Sequence, residues 1–415
     1  MRHKAPTRAE RIHGRPQAGA GLYGRLPSLV ETWRDSRKST DSGSLTRREI
    51  ALSGASLLAL QRGLTGDRRL AGADYMEDPD LLGAYLLYYW PVSYMQVSLA
   101  LAEFPLVRRE ESGPYRILDL GSGPGPAAAA ILDALRDAND TIGSDAPELV
   151  LADASRAALK LASCIIERGP PAKARIVALD LESSSPLPDG PFELVVAGHC
   201  LNELWRGKPD ALERREALLL RVAERLAPGG RILVLEPSLL STSRELIALR
   251  DRLVARSWRV IGPCPGSYPC PILAAGPERS CHAESSWQPP EIVTILAAAA
   301  GLDRDSVKYA YFFLAPDNAL GGDNAASDCP RVVSDPMLNK AGRLRYHLCG
   351  RGVLSTISAQ ADDMVARAAG FMNLGRGDLV RPISFETREG GGLGFGTLSK
   401  LEIVRRAPEA MDGAR

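Results

Sequence analysis

The sequence predicts an α/β fold, a doubly wound sheet of mainly parallel strands. Short apolar runs alternate with helical segments between about residues 115 and 237, as expected for strands that are buried on both faces. The stretch Arg116–Pro126, RILDLGSGPGP, indicates a strand, a glycine-rich turn and the start of a helix. Acidic residues stand where several apolar runs end, which is the edge where such sheets bind their ligands.

The glycine-rich turn has the composition of a nucleotide-binding loop but not the spacing of a dinucleotide site. A G-x-G-x-x-G fingerprint that starts at Gly121 needs Gly or Ala at position 126, where the chain has proline. The pattern is instead D-x-G-x-G-x-G, formed by Asp119, Gly121, Gly123 and Gly125. It resembles the first motif of the S-adenosylmethionine (SAM)-dependent methyltransferases. That resemblance implies a class I, Rossmann-like methyltransferase fold with SAM as its cofactor.

Three acids at strand ends complete the predicted cofactor site. Asp153 ends the run PELVLAD, where its carboxylate would accept hydrogen bonds from both hydroxyls of a ribose. Asp180 ends the run ARIVALD and would lie near the adenine amino group. Asp119, beside the glycine turn, would orient the ammonium of the ligand through the backbone or a water molecule. All three acids in register predict a SAM pocket.

The segment after the fourth strand does not identify a reaction. An Asn-Pro-Pro-aromatic tetrad there would indicate methylation of an amino group, and the chain has GHCLNEL instead. His199, Asn202 and Glu203 are candidates either for contact with a substrate or for hydrogen-bonded groups at the pocket rim. Because no residue is identified as a catalytic base, the sequence predicts SAM binding more strongly than methyl transfer.

Length and charge narrow the class of protein. A chain of 415 residues is long enough for two or three domains, and its net charge of +1 excludes binding of nucleic acid through overall charge. Seven cysteines do not make a disulfide scaffold at this length and indicate thiols or metal ligands in a reducing compartment. No apolar run reaches the roughly 18 residues of a membrane span. We therefore expect no membrane partner and a cytoplasmic protein, or a mitochondrial one in a eukaryote.

Changes in composition divide the chain into four regions, which are a disordered basic tail (1–40), a helical domain (41–113), an α/β domain with a cysteine-rich insertion at 260–288 (114–354) and a small β-rich region (355–415). In the helical domain, one helix should start near Thr46 and a second should span 78–103, with a break or kink at Pro91. The tyrosines of this second helix are expected to be core. The segment 343–350, RLRYHLCG, is expected to be the last, antiparallel strand of the α/β domain.

The cysteine-rich insertion predicts a metal site. Cys264, Cys270 and Cys281 lie in a loop of Pro, Gly and Ser residues that has neither helical nor strand periodicity. A proline follows the first two of these cysteines, which suits a backbone that wraps around a ligand. Three thiols collected in one loop favour metal ligands over unconnected cysteines.

A fourth ligand would come from elsewhere in the chain. We expect it to be Cys349, with His282 and Cys329 as alternatives. The chemistry of the residues leaves zinc and an iron–sulfur cluster both open, since four thiolates suit either. The paired C-x2-C spacing that is common in structural zinc sites is absent.

These features together resemble a family, the methyltransferase-like assembly proteins of the small ribosomal subunit, found in mitochondria and in some bacteria and archaea. The matching stretches, between about residues 45 and 350, are LTRREIALSGASLLALQRG, YMEDPDLLGAYLLYYWPVSYMQV, RILDLGSGPGPAAAA, CPGSYPCPILAAGPERSCH and RLRYHLCG. The resemblance implies a [4Fe–4S] cluster on Cys264, Cys270, Cys281 and Cys349. It also implies binding to the small ribosomal subunit or its rRNA. The chain departs from the family in its longer interval between Cys270 and Cys281.

Two groups of cations flank the predicted metal site and would suit an RNA phosphate backbone. One lies on the helix after the fifth strand, where Arg252, Arg256 and Arg259 share a face at i, i+4 and i+7. The other surrounds the fourth cysteine and comprises Lys340, Arg343, Arg345, His347 and Arg351. Either group would equally suit a solvated face.

Three functions remain compatible with the sequence. The first, which we favour, is a SAM-binding, iron–sulfur factor in assembly of the small ribosomal subunit or in translation, with methylation of rRNA left open. The second is an active RNA methyltransferase with a structural zinc. The third is a non-catalytic RNA-binding scaffold with a vestigial SAM pocket. Metal content separates the first from the second, and calorimetry with SAM separates the third from both.

Overall fold

A helical layer, an α/β sheet and a second, mostly antiparallel sheet follow one another along the chain. The computed structural model describes residues 15–71, 75–106, 113–138, 145–316, 329–389 and 391–412. No helix within these ranges is long and apolar enough to cross a membrane.

The helical layer follows a short strand, and its elements are β1 (Gln17–Ala18), α1 (Gly21–Ser36), α2 (Arg47–Gln61), α3 (Pro79–Ala84) and α4 (Trp90–Glu103). The start of α2 confirms the prediction, because Thr46 and Glu49 form a capping box in which each side chain accepts the backbone N–H of the other. A π-helical turn, Tyr85–Tyr89, directly precedes α4. Pro91, which has no N–H to donate, lies two residues after this π turn, in the first turn of α4. The predicted break is therefore the π turn.

The α/β sheet is doubly wound, with the strand order β4-β3-β2-β5-β6-β9-β7 and β8 paired to β9. Its strands are β2 (Arg116–Leu120), β3 (Glu148–Asp153), β4 (Lys173–Ala178), β5 (Phe192–Gly198), β6 (Leu226–Pro237), β7 (Arg259–Gly262), β8 (Ala283–Ser286) and β9 (Ser306–Ala315). Strands β2 to β6 are parallel, and β9 runs antiparallel between β6 and β7. The order reverses between β2 and β5, so a crevice opens at their carboxyl ends. This topology confirms the predicted fold class.

Helices cover the α/β sheet on both faces, and they are α5 (Pro126–Asp137), α6 (Arg156–Glu167), α7 (Ala211–Ala223), α8 (Leu240–Val254), α9 (Pro271–Ala274) and α10 (Glu291–Ala299). Helices α5 and α6 share one core with the N-terminal helices. Helices α7 and α8 pack in a second core on the opposite face. The sheet is thereby buried except at its edge strand β4, whose side chains are mostly exposed.

Helix α1 shows that the prediction of a disordered tail is wrong for the described part of residues 1–40. Trp33 is 2% exposed and belongs to the core that α5 and α6 share. The guanidinium of Arg25 forms a buried ion pair with Asp133 of α5, with Nε 2.6 Å from Oδ2. Arginines that suggested a solvated tail are thus paired inside the protein. Residues 1–14 lie outside the described residues.

The second sheet has the order β15-β16-β13-β12-β10-β14-β17, with β11 paired to β12. Its strands are β10 (Arg331–Val332), β11 (Met337–Leu338), β12 (Arg343–Gly350), β13 (Val353–Gln360), β14 (Leu379–Ile383), β15 (Glu386–Thr387), β16 (Leu393–Gly394) and β17 (Lys400–Arg405). The prediction that 343–350 completes the α/β sheet is wrong, because β12 pairs along its full length with β13. Its alternating burial is typical of a strand with one solvated face, not of one buried on both. A last strand, β18 (Glu409–Ala410), pairs with β1.

Candidate cofactor pocket and cysteine cluster

The glycine-rich turn lies between β2 and α5, at the carboxyl edge of the sheet. Gly121, Gly123 and Gly125 have φ angles of 62°, 51° and 76°, which lie in the left-handed region that favours glycine. At Gly121 a side chain is also excluded by space, because a Cβ there would lie 2.4 Å from the Cβ of Cys200. The turn therefore needs glycines for its shape and brings bare backbone to the crevice.

Asp153, the last residue of β3, holds this turn in place. Its Oδ2 accepts the N–H of Gly123 at 2.8 Å, and its Oδ1 accepts the N–H of Ser155 at 2.8 Å. Burial raises the pKa of the Asp153 carboxyl, and these backbone donors partly offset that rise. The predicted ribose acceptor thus lines the crevice and is already fixed in orientation by the backbone.

Asp119 lies beneath the turn and is 1% exposed. Its Oδ2 accepts the N–H of Ala128 at 3.2 Å, which ties β2 to the first turn of α5. Burial raises the pKa of Asp119 to about 8. Without a ligand, most of this carboxyl is therefore protonated at neutral pH.

The Asp119→Asn variant is expected to gain stability over the wild type as the pH rises from 5 to 8. Between the unfolded pKa of 3.8 and the folded pKa of about 8, only the unfolded chain has released this proton. The free energy of unfolding of the wild type then falls by about 1.4 kcal/mol per pH unit. Asparagine does not titrate and still accepts the Ala128 N–H. Urea unfolding at several pH values measures the difference, with Asp180→Asn as the control. A difference that does not change with pH would contradict the burial argument.

Asp180 lies at the rim of the same crevice. The strand β4 ends at Ala178, so Asp180 follows the strand by two residues instead of ending it as expected. It is exposed, and its Oδ1 accepts the N–H of Glu182 at 2.8 Å. This placement leaves the rest of the carboxylate open to a ligand at the rim.

These groups line one pocket of about 990 Å³. Asp119, Gly121, Gly123, Asp153 and Asp180 all border it, whereas Gly125 caps α5 behind it. The N-terminal part of the chain covers the pocket with Tyr75 and Met76, and with Tyr85 and Tyr89, which the sequence pattern assigns only to the core. A volume of this size fits a nucleoside-type ligand. The covering aromatic residues have no motif of their own, and only the packing of the helices reveals their role.

Asn202, a candidate for substrate contact, is used inside the protein. Its Nδ2 donates to the backbone oxygen of His199 at 3.0 Å and to Glu236 Oε2 at 2.6 Å. Its Oδ1 accepts from Arg68 Nη2 at 2.6 Å. Since each polar atom has a partner, Asn202 fixes the shape of the segment after β5.

His199 has a free acceptor at the pocket. Its Nε2 lies 2.6 Å from Gln96 Oε1, and the Gln96 amide nitrogen donates to the backbone oxygen of Lys308. This orientation of the amide places the imidazole proton on Nε2. Nδ1 is buried and has no hydrogen-bond partner among the described residues. Burial lowers the pKa of His199 to about 4, so the ring is neutral at pH 7.

The four cysteines predicted as ligands converge on a second, smaller cavity of about 60 Å³. Cys264, Cys270 and Cys281 reach it from the loop between β7 and β8, and Cys349 reaches it from β12 of the second sheet. Burial, and then the three neighbouring thiols, raise the pKa of Cys349. Burial raises the pKa of Cys264 to about 11 and that of Cys270 to about 11.

The alternatives for the fourth ligand differ in position. His282 borders the same cavity, and its Nε2 is 3.6 Å from Glu284 Oε2. Cys329 is buried elsewhere, with its sulfur 3.5 Å from Arg381 Nη2. Among the residues that the structure describes, no three His, Cys, Asp or Glu side chains form a group that could hold a metal ion. The structure thus brings the four thiols to one cavity, and the metal site itself stays a prediction.

Arginines of α8 hold the cysteine loop. Arg250 is 2% exposed and donates to the backbone oxygens of Tyr268 and Gly266. Arg244 Nη1 donates to the oxygens of Gly276 and Arg279 at 2.8 and 2.7 Å. These arginines stabilise a loop that has little regular structure of its own.

The predicted helical face of Arg252, Arg256 and Arg259 is wrong, because α8 ends at Val254 and Arg259 is the first residue of β7. Arg252 and Arg256 both donate to the carboxylate of Glu216, which is 4% exposed, and Arg252 also pairs with Glu213. Their charges are paired with two carboxylates of α7, which weakens their attraction for phosphates. The sequence shows their helical spacing but not the acid that faces them.

The part of the chain that holds the cofactor pocket and the cysteine cavity matches a known protein family. A family model described as mitochondrial small ribosomal subunit Rsm22 matches residues 81–355, two thirds of the chain, which include the glycine turn and all four cavity cysteines. A search of curated proteins finds no significant match.

Solved structures that are similar to this chain share little sequence identity with it, as three examples show. Magnesium protoporphyrin IX methyltransferase (ChlM) from Synechocystis PCC 6803 with bound SAH is 10% identical, with a TM-score of 0.33 and coverage of 69% of this chain and 93% of that chain. The plantazolicin methyltransferase BpumL with SAH is 12% identical, with a TM-score of 0.29 and coverage of 65% and 98%. A fibrillarin/Nop5p complex is 10% identical, with a TM-score of 0.30 and coverage of 55% and 83%.

Proposed function

The chain belongs to the Rsm22 family of the mitochondrial small ribosomal subunit, and from this premise we propose that it is a SAM-binding factor of that subunit which carries a [4Fe–4S] cluster. The family membership confirms the resemblance in the sequence and gives the small ribosomal subunit as the partner. The observation that carries SAM binding is the pocket at the carboxyl ends of β2 and β3, where a glycine turn meets a fixed strand-end acid. The proposal holds whether or not a methyl group passes to rRNA.

The arrangement of the pocket supports SAM in particular. Gly121 and Gly123 let the backbone approach a ligand closely. Asp153 has carboxylate lone pairs left for ribose hydroxyls after its two backbone contacts. A cation close to Asp119 would lower the pKa of its carboxyl, because a positive charge favours the ionised form of a buried carboxyl. Asp180 at the rim would accept from an adenine amino group.

Calorimetry with SAM is expected to show binding to the wild type that the Asp153→Ala variant weakens at least tenfold. The variant loses both the ribose acceptor and the contact that holds Gly123. Charge-assisted hydrogen bonds of this kind contribute about 1.5–3 kcal/mol each. Asp189→Ala, at a remote carboxylate whose side chain is 94% exposed, is the control and should bind as the wild type does. Absence of binding by the folded wild type would leave a scaffold with a vestigial pocket.

The cysteine cavity supports the cluster. Its donor set is four sulfur atoms, which suits an iron–sulfur centre and equally suits zinc. The cations Arg250 and Arg331 lower the pKa of Cys264 against the larger effect of burial, so positive charge is present where thiolates would form. Cys264, Cys270, Cys281 and Cys349 would hold the cluster. Its contribution here is structural, since it would link a loop of the α/β sheet to a strand of the second sheet.

A further inference from the structure

One face of β12 carries two arginines and a histidine that do not belong to the core of the second sheet. Arg343, Arg345 and His347 alternate along the strand with Leu344, Tyr346 and Leu348, which fill the core of the second sheet. Alternate side chains of a strand point to the same face and lie about 7 Å apart. The cations Arg343 and Arg345 and the imidazole of His347 therefore form a row on the outer face of the sheet.

The strand β13 offers no opposite charge to this row. In the antiparallel register, Gln360, Ser358 and Thr356 of β13 lie beside Arg343, Arg345 and His347, and on the other side Met337 of β11 lies beside Arg345. Neither β12 nor β13 contains an aspartate or a glutamate. This separates the row from Arg252 of α8 and Arg256 just after that helix, which share a buried carboxylate.

The cations themselves are accessible or lack a partner. Arg345 is exposed, and Arg343 is half-buried. Arg343 Nη1 is a buried nitrogen without a hydrogen-bond partner in the described part of the chain.

The cysteine loop extends the row toward the cavity. Tyr268 is 44% exposed and lies beside the hairpin that joins β12 to β13. A cationic row thus runs to an exposed aromatic ring.

We propose that this surface, defined by Arg343, Arg345 and His347 of β12 with Tyr268 at its end, binds a single-stranded segment of RNA. The inference rests on the proposed ribosomal partner and assigns its interface. Cations at regular intervals, flanked by the neutral hydrogen-bonding side chains of β13, match a phosphate backbone, which arginine and Ser, Thr and Gln side chains contact. An exposed tyrosine beside them gives a base a ring on which to stack.

The test measures binding of a fluorescein-labelled oligouridine of about 16 nucleotides, enough to span such a site. The variant Arg343→Gln/Arg345→Gln should bind at least tenfold more weakly than the wild type. The slope of log K against log salt should fall by about 1.4, because each phosphate contact to a single strand contributes about 0.7. The matched control, Lys173→Gln/Arg175→Gln, removes two exposed cations from the edge strand β4 and should change neither quantity. Unchanged SAM calorimetry and thermal unfolding show that each variant is folded.

Co-sedimentation with isolated small ribosomal subunits separates the interface from the partner. If the wild type sediments with the subunits and the double variant does so equally, this surface is not the interface and the proposed partner stands. If the wild type does not sediment with them, the proposed partner itself fails. If polyglutamate competes as well as RNA at equal charge, the surface recognises acidic protein and the RNA assignment is overturned.

Discussion

Replacing Cys281 with serine is expected to reduce iron and acid-labile sulfide from about four of each per chain to near zero, in protein purified without oxygen. Cys281 is one of four thiols that border a single cavity, and a [4Fe–4S] cluster requires a thiolate at each iron. Cys164→Ser is the matched control, because Cys164 lies on α6 and does not border the cavity. Cys329→Ser should also retain the cluster, since Cys329 is buried elsewhere.

The metal content of the wild type decides between the competing sites. Stoichiometric zinc without sulfide would overturn the iron–sulfur proposal and favour a structural zinc site on the same cysteines. Neither metal in the wild type would contradict the site altogether. Full iron and sulfide in both the wild type and the Cys281→Ser variant would show that the cluster lies elsewhere.

A cluster at this position would also join the two sheets. Three of its ligands come from the loop between β7 and β8, whereas Cys349 belongs to β12. A group that binds only the folded arrangement stabilises it, so Cys281→Ser should unfold at a lower temperature than Cys164→Ser. Equal melting temperatures in samples with different iron content would show that the cluster does not link the sheets.

The sequence predicts the two candidate sites better than it predicts their surroundings. The glycine turn and the strand-end Asp153 are local patterns, because their backbone needs are set by neighbouring residues. The four cysteines were predicted as a group, and the structure does bring them to one cavity. That Cys349 reaches it from a separate sheet could not be predicted, since the alternation of RLRYHLCG does not reveal its partner strand.

The errors concern charges whose partners are distant along the chain. Arg25 was assigned to a disordered tail, and its partner Asp133 lies 108 residues away. Arg252 was assigned to an RNA-binding face, and its partner Glu216 lies 36 residues away. Periodicity shows which face of a helix a cation occupies. Whether an acid faces it is decided by tertiary packing, so a row of arginines predicts a surface only where the neighbouring elements are known to lack acids.

Glu103 is a buried acid that shows the same dependence on tertiary packing. Its side chain is 4% exposed at the end of α4, and it pairs with Arg331 and Arg405 of the second sheet. The hydroxyl of Tyr311 on β9 donates to its Oε2 at 2.7 Å. Burial alone would raise the pKa of Glu103, but the two guanidinium groups and the tyrosine outweigh burial and lower it. Glu103 therefore stays ionised and links the helical layer, the α/β sheet and the second sheet.

The Glu103→Gln variant is expected to lose about 3–5 kcal/mol of unfolding free energy at neutral pH, because Arg331 is left buried without its counter-charge. Since the pKa of Glu103 is lowered, the contribution is present above its unfolded pKa of 4.5 and is lost as the pH falls through the lower folded value. The difference from the wild type should therefore shrink below pH 4.5. Urea unfolding measures it, with Glu402→Gln as the control. Glu402 pairs with Arg381 at 2.6 Å across two half-exposed side chains, so its loss should cost at most about 1 kcal/mol. Equal losses in the two variants would show that burial of the Glu103 network adds nothing to a surface ion pair.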